Sequence, residues 1–315
     1  MKIPWRNNSI DENKDRLSDL CDYLLTRILS FLESKKAVQT CILSTRWRNL
    51  WKQLPFLLLY SLRSNTLPRL TEFASQFFSL RDGSTSLFAL QFYNLYSEDI
   101  MEPHVLDTIL QYAVSHNIQR LDIYVKCDIQ HFPSCLFACD TLTSLFFYVT
   151  PICYNKPKIL FPNSLNMPSL TSLRLGYVTF RGGPELFMAY PRLKSLEIGH
   201  FEILGEENLC ISSTTFVRLS IEFGFEPKND RKIELFTPCM CAFAFIGTPF
   251  QILCGSPLRS VKHLEIEADM GWNYAEAPSI LLRWLLEISD IESLIVCSNT
   301  LQVYLNRICK YVSEY

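Results

Sequence analysis

The stretch from Asp15 to Pro55, DRLSDLCDYLLTRILSFLESKKAVQTCILSTRWRNLWKQLP, decides how the rest of the chain is read. It predicts three short helices. In the first, Leu24, Leu25, Ile28, Leu29 and Leu32 recur at i, i+1, i+4, i+5 and i+8, which draws one apolar stripe. Ser34 is placed to cap a second helix whose Val38, Cys41 and Ile42 share a face. Ser44 is placed to cap a third, where Leu43, Trp47, Leu50 and Trp51 align while Arg46, Arg48 and Lys52 point elsewhere. Three apolar faces in forty-one residues exceed what the segment can bury against itself, so a partner surface is expected to cover the surplus.

Beyond this segment a pattern of apolar residues at positions one, four and six recurs. It runs Leu87-Leu90-Phe92, Ile118-Leu121-Ile123, Leu142-Leu145-Phe147, Leu170-Leu173-Leu175 and Leu193-Leu196-Ile198. It continues as Phe216-Leu219-Ile221, Met240-Phe243-Phe245, Val261-Leu264-Ile266 and Ile291-Leu294-Val296. Successive starts lie 21 to 31 residues apart, the period range of leucine-rich repeats. Each such strand needs its neighbours to bury its apolar side. Pro168, Pro191 and Pro238 each precede a first apolar position by two residues, where a strand can begin without losing a ladder donor. Helical or irregular returns are expected between strands, most clearly at Leu106, Ile109, Leu110, Ala113 and Val114 after Pro103, and at 280–288 after Pro278. The asparagine of the common repeat consensus, three residues after the third apolar one, occurs only as Asn299. Lys126, Thr150, Val178, Phe201, Gly224 and Asp269 stand there in other units.

The N-terminal segment resembles the F-box, in the version found in plant F-box proteins with leucine-rich repeats. The residues carrying the likeness are Asp15-Arg16-Leu17-Ser18-Asp19-Leu20, Ile28-Leu29-Ser30-Phe31-Leu32, Ala37-Val38 and Leu43-Ser44-Thr45-Arg46-Trp47-Arg48-Asn49-Leu50-Trp51. Where the family usually has Leu-Pro then Asp-Glu, this chain has Leu20-Cys21-Asp22-Tyr23. A proline in the first helical turn pre-sets the backbone, so its loss is expected to weaken adaptor binding without abolishing it. The resemblance implies an α/β chain: a three-helix F-box followed by a curved leucine-rich-repeat solenoid with a parallel sheet on its concave face. Expected boundaries are a tail at 1–14, the F-box at 15–55, a connecting helical segment at 56–86, repeats at 87–300 and a C-terminal cap or tail at 301–315. The cap would place Leu301, Leu305, Ile308 and Val312 on one helical face over the last strand.

It further implies a non-catalytic substrate receptor of an SCF-type (Skp, cullin, F-box) ubiquitin ligase. The F-box would dock a Skp-family adaptor, and through it a cullin-RING ligase, while the repeats hold an unknown target protein. By matching positions, Leu17, Leu20, Leu24, Leu25, Ile28, Leu29, Leu32, Val38, Leu43, Trp47, Leu50 and Trp51 form the adaptor interface and its supporting core. The residue between the second and third apolar positions should face a target, which selects Gln91, Asp122, Arg174, Glu197, Ser220 and Glu265. The competing reading is a diverged repeat protein that no longer joins a ligase.

Composition bounds these readings. Hydrophobic content of 48% with 20% charged residues argues for a folded chain. Residues 15–55 hold seven basic and four acidic side chains, and 56–315 hold twenty and twenty-six, so no part has the basic density of a nucleic-acid binder. No apolar run follows the first basic residues and none is long enough to span a bilayer, so a soluble intracellular protein of nucleus or cytoplasm is expected. The twelve cysteines sit among apolar neighbours and read as reduced core thiols.

Hydrolase, nucleotide and metalloprotease signatures are absent from the sequence. His131, Cys135 and Cys139 have metal-ligand spacing on a helix, but Pro133 interrupts it and Phe132, Leu136 and Phe137 favour core packing. Cys239 and Cys241 flank Met240 and are expected on the face opposite to it; His263 falls at a variable strand position. A helix-turn-helix reading of the Trp47 segment fails because Trp47, Leu50 and Trp51 occupy the face that DNA would need polar. No catalytic residue, cofactor or metal is expected.

Overall fold

Apolar and polar residues alternate at the repeat positions, and in the computed structural model these stretches become strands. The structure describes residues 17–300 except 18, 62–65, 95–98, 154–158, 163–166, 184–186, 188–189, 224–232, 248–251, 255–259, 269–280, 282–283, 286–287, 289 and 298–299. The expected tail at 1–14 and the cap at 301–315 lie outside the described residues. The strands are β1 (Phe56–Ser61), β2 (Ala89–Asn94), β3 (Arg120–Lys126), β4 (Ser144–Thr150), β5 (Ile159–Leu160), β6 (Ser172–Gly176), β7 (Val178–Gly183) and β8 (Ser195–Gly199). They continue as β9 (Glu202–Ser212), β10 (Arg218–Glu222), β11 (Ile233–Phe236), β12 (Ala242–Gly247), β13 (Ile252–Cys254), β14 (His263–Ala268) and β15 (Ser293–Val296).

A ten-stranded parallel sheet runs β1-β2-β3-β4-β6-β8-β10-β12-β14-β15. Its register aligns the second apolar positions in one row: Leu57, Leu90, Leu121, Leu145, Leu173, Leu196, Leu219, Phe243, Leu264 and Leu294. The third positions align two residues further on, from Leu59 and Phe92 to Ile266 and Val296. Register is fixed because a slip of one residue would turn every such side chain to solvent. The row shows a unit the sequence reading missed. Leu54, Leu57 and Leu59 repeat the one-four-six spacing and are each 1% exposed, so the sheet begins inside the stretch expected to be a helical connection. The helix of that stretch covers only Leu67–Leu80.

The three prolines lie not at strand starts but in the turns before them. The amides of Leu170, Leu193 and Met240 donate to the carbonyls of Met167, Tyr190 and Thr237 at 3.1, 3.3 and 3.1 Å. Each proline is therefore the second residue of an i to i+3 turn, where its fixed φ suits the backbone.

The returns also differ from expectation. Among the described residues the return expected at 280–288 is helical at Leu281, Trp284 and Leu285, and the longer helices lie in the first units, the N-terminal α1 (Asp22–Leu29) and α2 (Ser34–Gln39) being followed by α3 (Leu67–Leu80) and α4 (Pro103–Ser115). Further along, the returns form a second parallel sheet, ordered β13-β11-β9-β7-β5. The reason lies in the residues at and after the missing asparagine: Val178 and Phe180, Phe201 and Ile203, and Leu209 and Ile211 alternate with polar neighbours and are all buried. Period-two alternation makes strands rather than helices. Between the strands runs a chain of aromatic contacts. Phe147, Phe132, Phe161, Phe180, Phe201, Phe223, Phe245 and Trp284 touch in succession, with ring centroids 5.0 to 5.9 Å apart.

In the N-terminal unit, a 3-10 segment at Thr40–Ile42 takes the place of the end of the expected second helix, and one at Trp47–Gln53 takes the place of the third. Neither serine caps. The N-cap of α2 is Glu33; Ser34 is buried, and its Oγ accepts a hydrogen bond from the Leu58 amide at 2.9 Å. That bond satisfies a donor on the outer edge of β1, which would otherwise be open. Trp47 begins the 3-10 helix with Arg46 as its N-cap, and Ser44 contributes only its carbonyl. Cys21 is the N-cap of α1 rather than a first-turn residue, with φ −72° and ψ 158°.

Candidate binding surfaces

Two surfaces present side chains that the fold does not consume. The first is the N-terminal helical unit. A turn of 100° per residue splits the α1 stripe in two. Leu25 and Leu29 are buried, while Leu24 and Ile28 are 42% and 40% exposed. The twelve residues assigned to interface and core divide along the same line. Leu25, Leu29, Trp47, Leu50 and Trp51 are buried; Leu20, Leu32 and Val38 are half-buried against the core; Leu17, Leu24, Ile28 and Leu43 are exposed. Tyr23, Phe31 and Ile42, which the sequence reading did not select, are exposed at 72%, 79% and 84%. Their signal was available: they are apolar residues one step off the periodic stripe, where a purely solvated face would be polar.

Beneath this face the unit is fastened to the repeats. Trp51 packs on Phe77 of α3 at 5.1 Å between centroids, and its Nε1 donates to the Arg48 carbonyl at 3.0 Å. The Arg46 guanidinium binds the Asp22 carboxylate at 2.7 Å and the Leu20 carbonyl, holding the 3-10 segment to the start of α1. Arg81 is 5% exposed and donates to the carbonyls of Leu54, Thr85 and Ser86.

The second surface is the outward face of the ten-stranded sheet. The six residues assigned to target contact fall on one register row, Gln91, Asp122, Phe146, Arg174, Glu197, Ser220, Ala244 and Glu265. Asp122 differs from the expected exposed contact. It is 3% exposed, and its Oδ2 accepts from Gln91 Nε2 at 2.7 Å, Tyr93 OH at 3.3 Å and Arg120 Nε at 3.2 Å. Long neighbours on both sides fold over its short side chain. Arg174 reaches Glu197 at 3.7 Å and lies 5.5 Å from the Phe146 ring.

The sequence reading missed the next outward row, two residues on. Tyr60, Tyr93, Tyr124 and Tyr148 align there, followed by Gly176, Gly199 and Glu222. Tyr148 lies across the two glycines, since a Cβ at Gly176 would come within 2.5 Å of its ring and one at Gly199 would strike its hydroxyl. From there its hydroxyl donates to Glu222 Oε2 at 3.5 Å, while His200 Nε2 sits 3.3 Å from Oε1. His200 and Tyr177 take left-handed φ values of 49° and 58° and stack at 4.7 Å. The hydrogen bond from His200 holds the Glu222 carboxyl below its usual range. Burial pushes the Glu197 carboxyl up; Arg174 offsets part of that, and the Glu222 charge adds to it. Four tyrosines then two glycines at one repeat position was the legible signal.

The other candidates take structural places. The Cys139 thiol is buried and directed at the Ile118 carbonyl, and burial pushes the Cys135 thiol up to about 11. Among the described residues no three His, Cys, Asp or Glu side chains converge as metal ligands would. Cys239 is exposed and Cys241 half-buried while Met240 is fully buried, and His263 is exposed at the start of β14. No helix among the described residues is long and apolar enough to cross a membrane.

The described residues form a helical unit with an apolar outer face joined to a parallel-strand repeat solenoid. Residues 17–59 match the F-box domain family. The chain is 28% identical over 92% of its length to an F-box/FBD/LRR-repeat protein of Arabidopsis thaliana, covering 60% of that protein. It is 25% identical, also over 92%, to an FBD-associated F-box protein of the same plant, covering 72% of it. A further F-box/FBD/LRR-repeat protein is 36% identical over 39% of this chain and 27% of its own length. No solved structure matches. Residues 17–59 thus carry an F-box, and along nearly its whole length the chain is similar to F-box/FBD/LRR-repeat proteins.

Proposed function

We infer that this chain is the substrate-recognition subunit of an SCF-type ubiquitin ligase, docking a Skp-family adaptor through the F-box and a target protein through the repeat sheet. The F-box and the repeat-bearing relatives support an adaptor-like role in ubiquitin ligation in general. The observation that carries the finer reading is the split of the F-box apolar residues into a buried set, held by Trp51 and Phe77, and an exposed set at Leu17, Leu24, Ile28 and Leu43. A fold that leaves Leu24 and Ile28 outward on an eight-residue helix gains from a surface that covers them. The reading assigns this chain no catalytic step. Its contribution is proximity, since a bound target is held at high effective concentration near the conjugating enzyme.

The test is co-purification of the full chain with a Skp-family adaptor, beside a Leu24→Asp, Ile28→Asp double variant. Truncating buried anchors of an interface costs at least ~2 kcal/mol, or roughly thirtyfold in affinity, so capture by the double variant should be lost. Its melting temperature should stay within a few degrees of wild type, because neither side chain supports the core. Absence of capture by the wild type, or equal capture by the variant, would refute the reading and favour a free-standing repeat protein.

A further inference from the structure

The outward face of the large sheet changes character along the solenoid. Its first strands carry the tyrosine row and Phe146, whereas from β8 to β14 the two outward rows hold Glu197, Glu222, Glu265 and Glu267, with Ser220, Ala244 and Ile246 among them. The cations on this face are mostly engaged within it. Arg120 pairs with Asp122, Arg174 lies on Phe146 and reaches Glu197, and His200 binds Glu222. Arg218 and His263 stand on the row beside these at the strand starts, and both are exposed. Glu265 and Glu267 are exposed on β14 and form no ion pair with a described residue. Glu197 and Glu222 lie diagonally on adjacent strands, near enough for the Glu222 charge to add to the upward push on the Glu197 carboxyl.

The surface thus already shows the chemistry it favours. Arg174 is held by an aromatic face and a carboxylate together, and at Glu222 the same pairing of groups recurs with His200, stacked on Tyr177, in the place of the arginine. Tyr148 and Tyr177 stand beside Glu222, and Ile246 separates Glu222 from Glu267 in register. An acidic segment would meet like charge at each of these strands, and a purely apolar one would leave four carboxylates to be desolvated.

We propose that this face binds an extended basic segment of the target protein, its lysine or arginine side chains seated against Glu222, Glu267 and Glu265. The proposal deepens, and rests on, the reading of the repeat sheet as the target surface. It also sets a spacing. Glu222 and Glu267 are two strands apart, roughly 10 Å at ~4.8 Å per strand, and a chain extended in the polyproline-II form, with three residues per turn and ~3.1 Å per residue, covers that distance in about three residues and brings its side chains back to the same side. Basic side chains three residues apart fit the two carboxylates, with two small residues between them over Ile246.

The test uses the full chain and fluorescence anisotropy of two labelled nonapeptides, one with arginine and one with glutamate at every third position and serine elsewhere. The arginine peptide should bind with an affinity that falls as salt rises, and the glutamate peptide should not bind. A Glu222→Gln, Glu265→Gln, Glu267→Gln variant, checked for an unchanged melt, should bind the arginine peptide at least tenfold more weakly. The Leu24→Asp, Ile28→Asp variant should bind it as wild type does. Equal binding of both peptides, or no change in the triple variant, would overturn the proposal. A random peptide array separates this failure from that of the underlying reading. Capture of non-basic peptides that is lost on Ile246→Asp would keep the sheet as the target surface while rejecting a basic target. No capture that depends on Ile246 would reject both.

Discussion

The Asp122 carboxylate sits at the centre of a small polar knot, with Gln91, Tyr93 and Arg120 all donating to one oxygen. Burial pushes the Tyr93 phenol up to about 12, and the neighbouring Asp122 charge adds to it. A raised tyrosine pKa means the folded state favours the neutral ring, so this contribution is full below the unfolded value of 10 and is lost as pH rises through 12. Ultraviolet titration should find Tyr93 ionising after the exposed tyrosines, and Asp122→Asn should bring it earlier; an unchanged titration would mean that the knot does not govern it. The glycines under Tyr148 permit a second prediction. Gly199→Ala places a methyl against the Tyr148 hydroxyl, and overpacking of this kind costs about 1–3 kcal/mol in urea unfolding. In a Tyr148→Ala background the same substitution should cost under about 1 kcal/mol, and a purely additive cycle would refute the contact. Cys21 has a φ of −72°, inside the range proline adopts, so Cys21→Pro should stabilise the chain by about 0.4–1 kcal/mol in the same assay, and a loss would mean that its amide is engaged. At this scale the sequence revealed which residues share a face but not their exposure. Asp122 and Glu265 occupy equivalent repeat positions, yet one is sealed by long neighbours and the other stands open.

Between elements, the join of F-box and repeats depends on two polar side chains buried where apolar ones would be expected. Arg81 follows α3 and gives its guanidinium to carbonyls of Leu54, Thr85 and Ser86, and Ser34 gives its Oγ to the Leu58 amide. Each satisfies a backbone group that strand pairing leaves over at the first unit. Replacing Arg81 by methionine keeps the volume and strands those carbonyls, so unfolding stability should fall by about 2–4 kcal/mol. Adaptor capture should weaken only when the variant is near its melting temperature, because Arg81 touches none of the exposed F-box residues; lost capture well below the melt would show that Arg81 acts on the docking face itself. Much of the element order was readable beforehand. The one-four-six pattern located the strands of the ten-stranded sheet from β2 onward, and α4 buries Leu106, Ile109, Leu110 and Ala113 as its spacing required. The first strand was missed because Leu54 closes the helical signature and opens the repeat at once. The second sheet was missed because its strands begin where asparagine was sought, and Val178 and Phe201 were read as losses rather than as the start of a new alternation.

At the scale of the whole molecule, stability in a solenoid is close to a sum of unit terms and nearest-neighbour terms, so a defect in the middle separates what lies on either side. The aromatic run from Phe147 to Trp284 is the most continuous interior contact, and Phe180 is its junction, touching Phe161, Phe187 and Phe201 while fully buried. Phe180→Ala should cost about 3–5 kcal/mol through lost burial and the cavity it leaves. The cost should not fall evenly. The units from β1 to β4 are backed by α3, α4 and the F-box core, whereas those from β6 onward lean on the second sheet, whose members β7 and β9 pair Phe180 with Ile203. Hydrogen exchange under native conditions should therefore show amides of β8 to β14 opening at lower free energy in the variant, with those of β1 to β3 little changed. Adaptor capture should persist under conditions where basic-peptide binding on the sheet is already lost, because the two surfaces lie on opposite sides of the weakened junction. Uniform loss of protection across all strands would show instead that the solenoid unfolds as one unit, and that the F-box cannot remain a competent docking surface once the repeats are damaged.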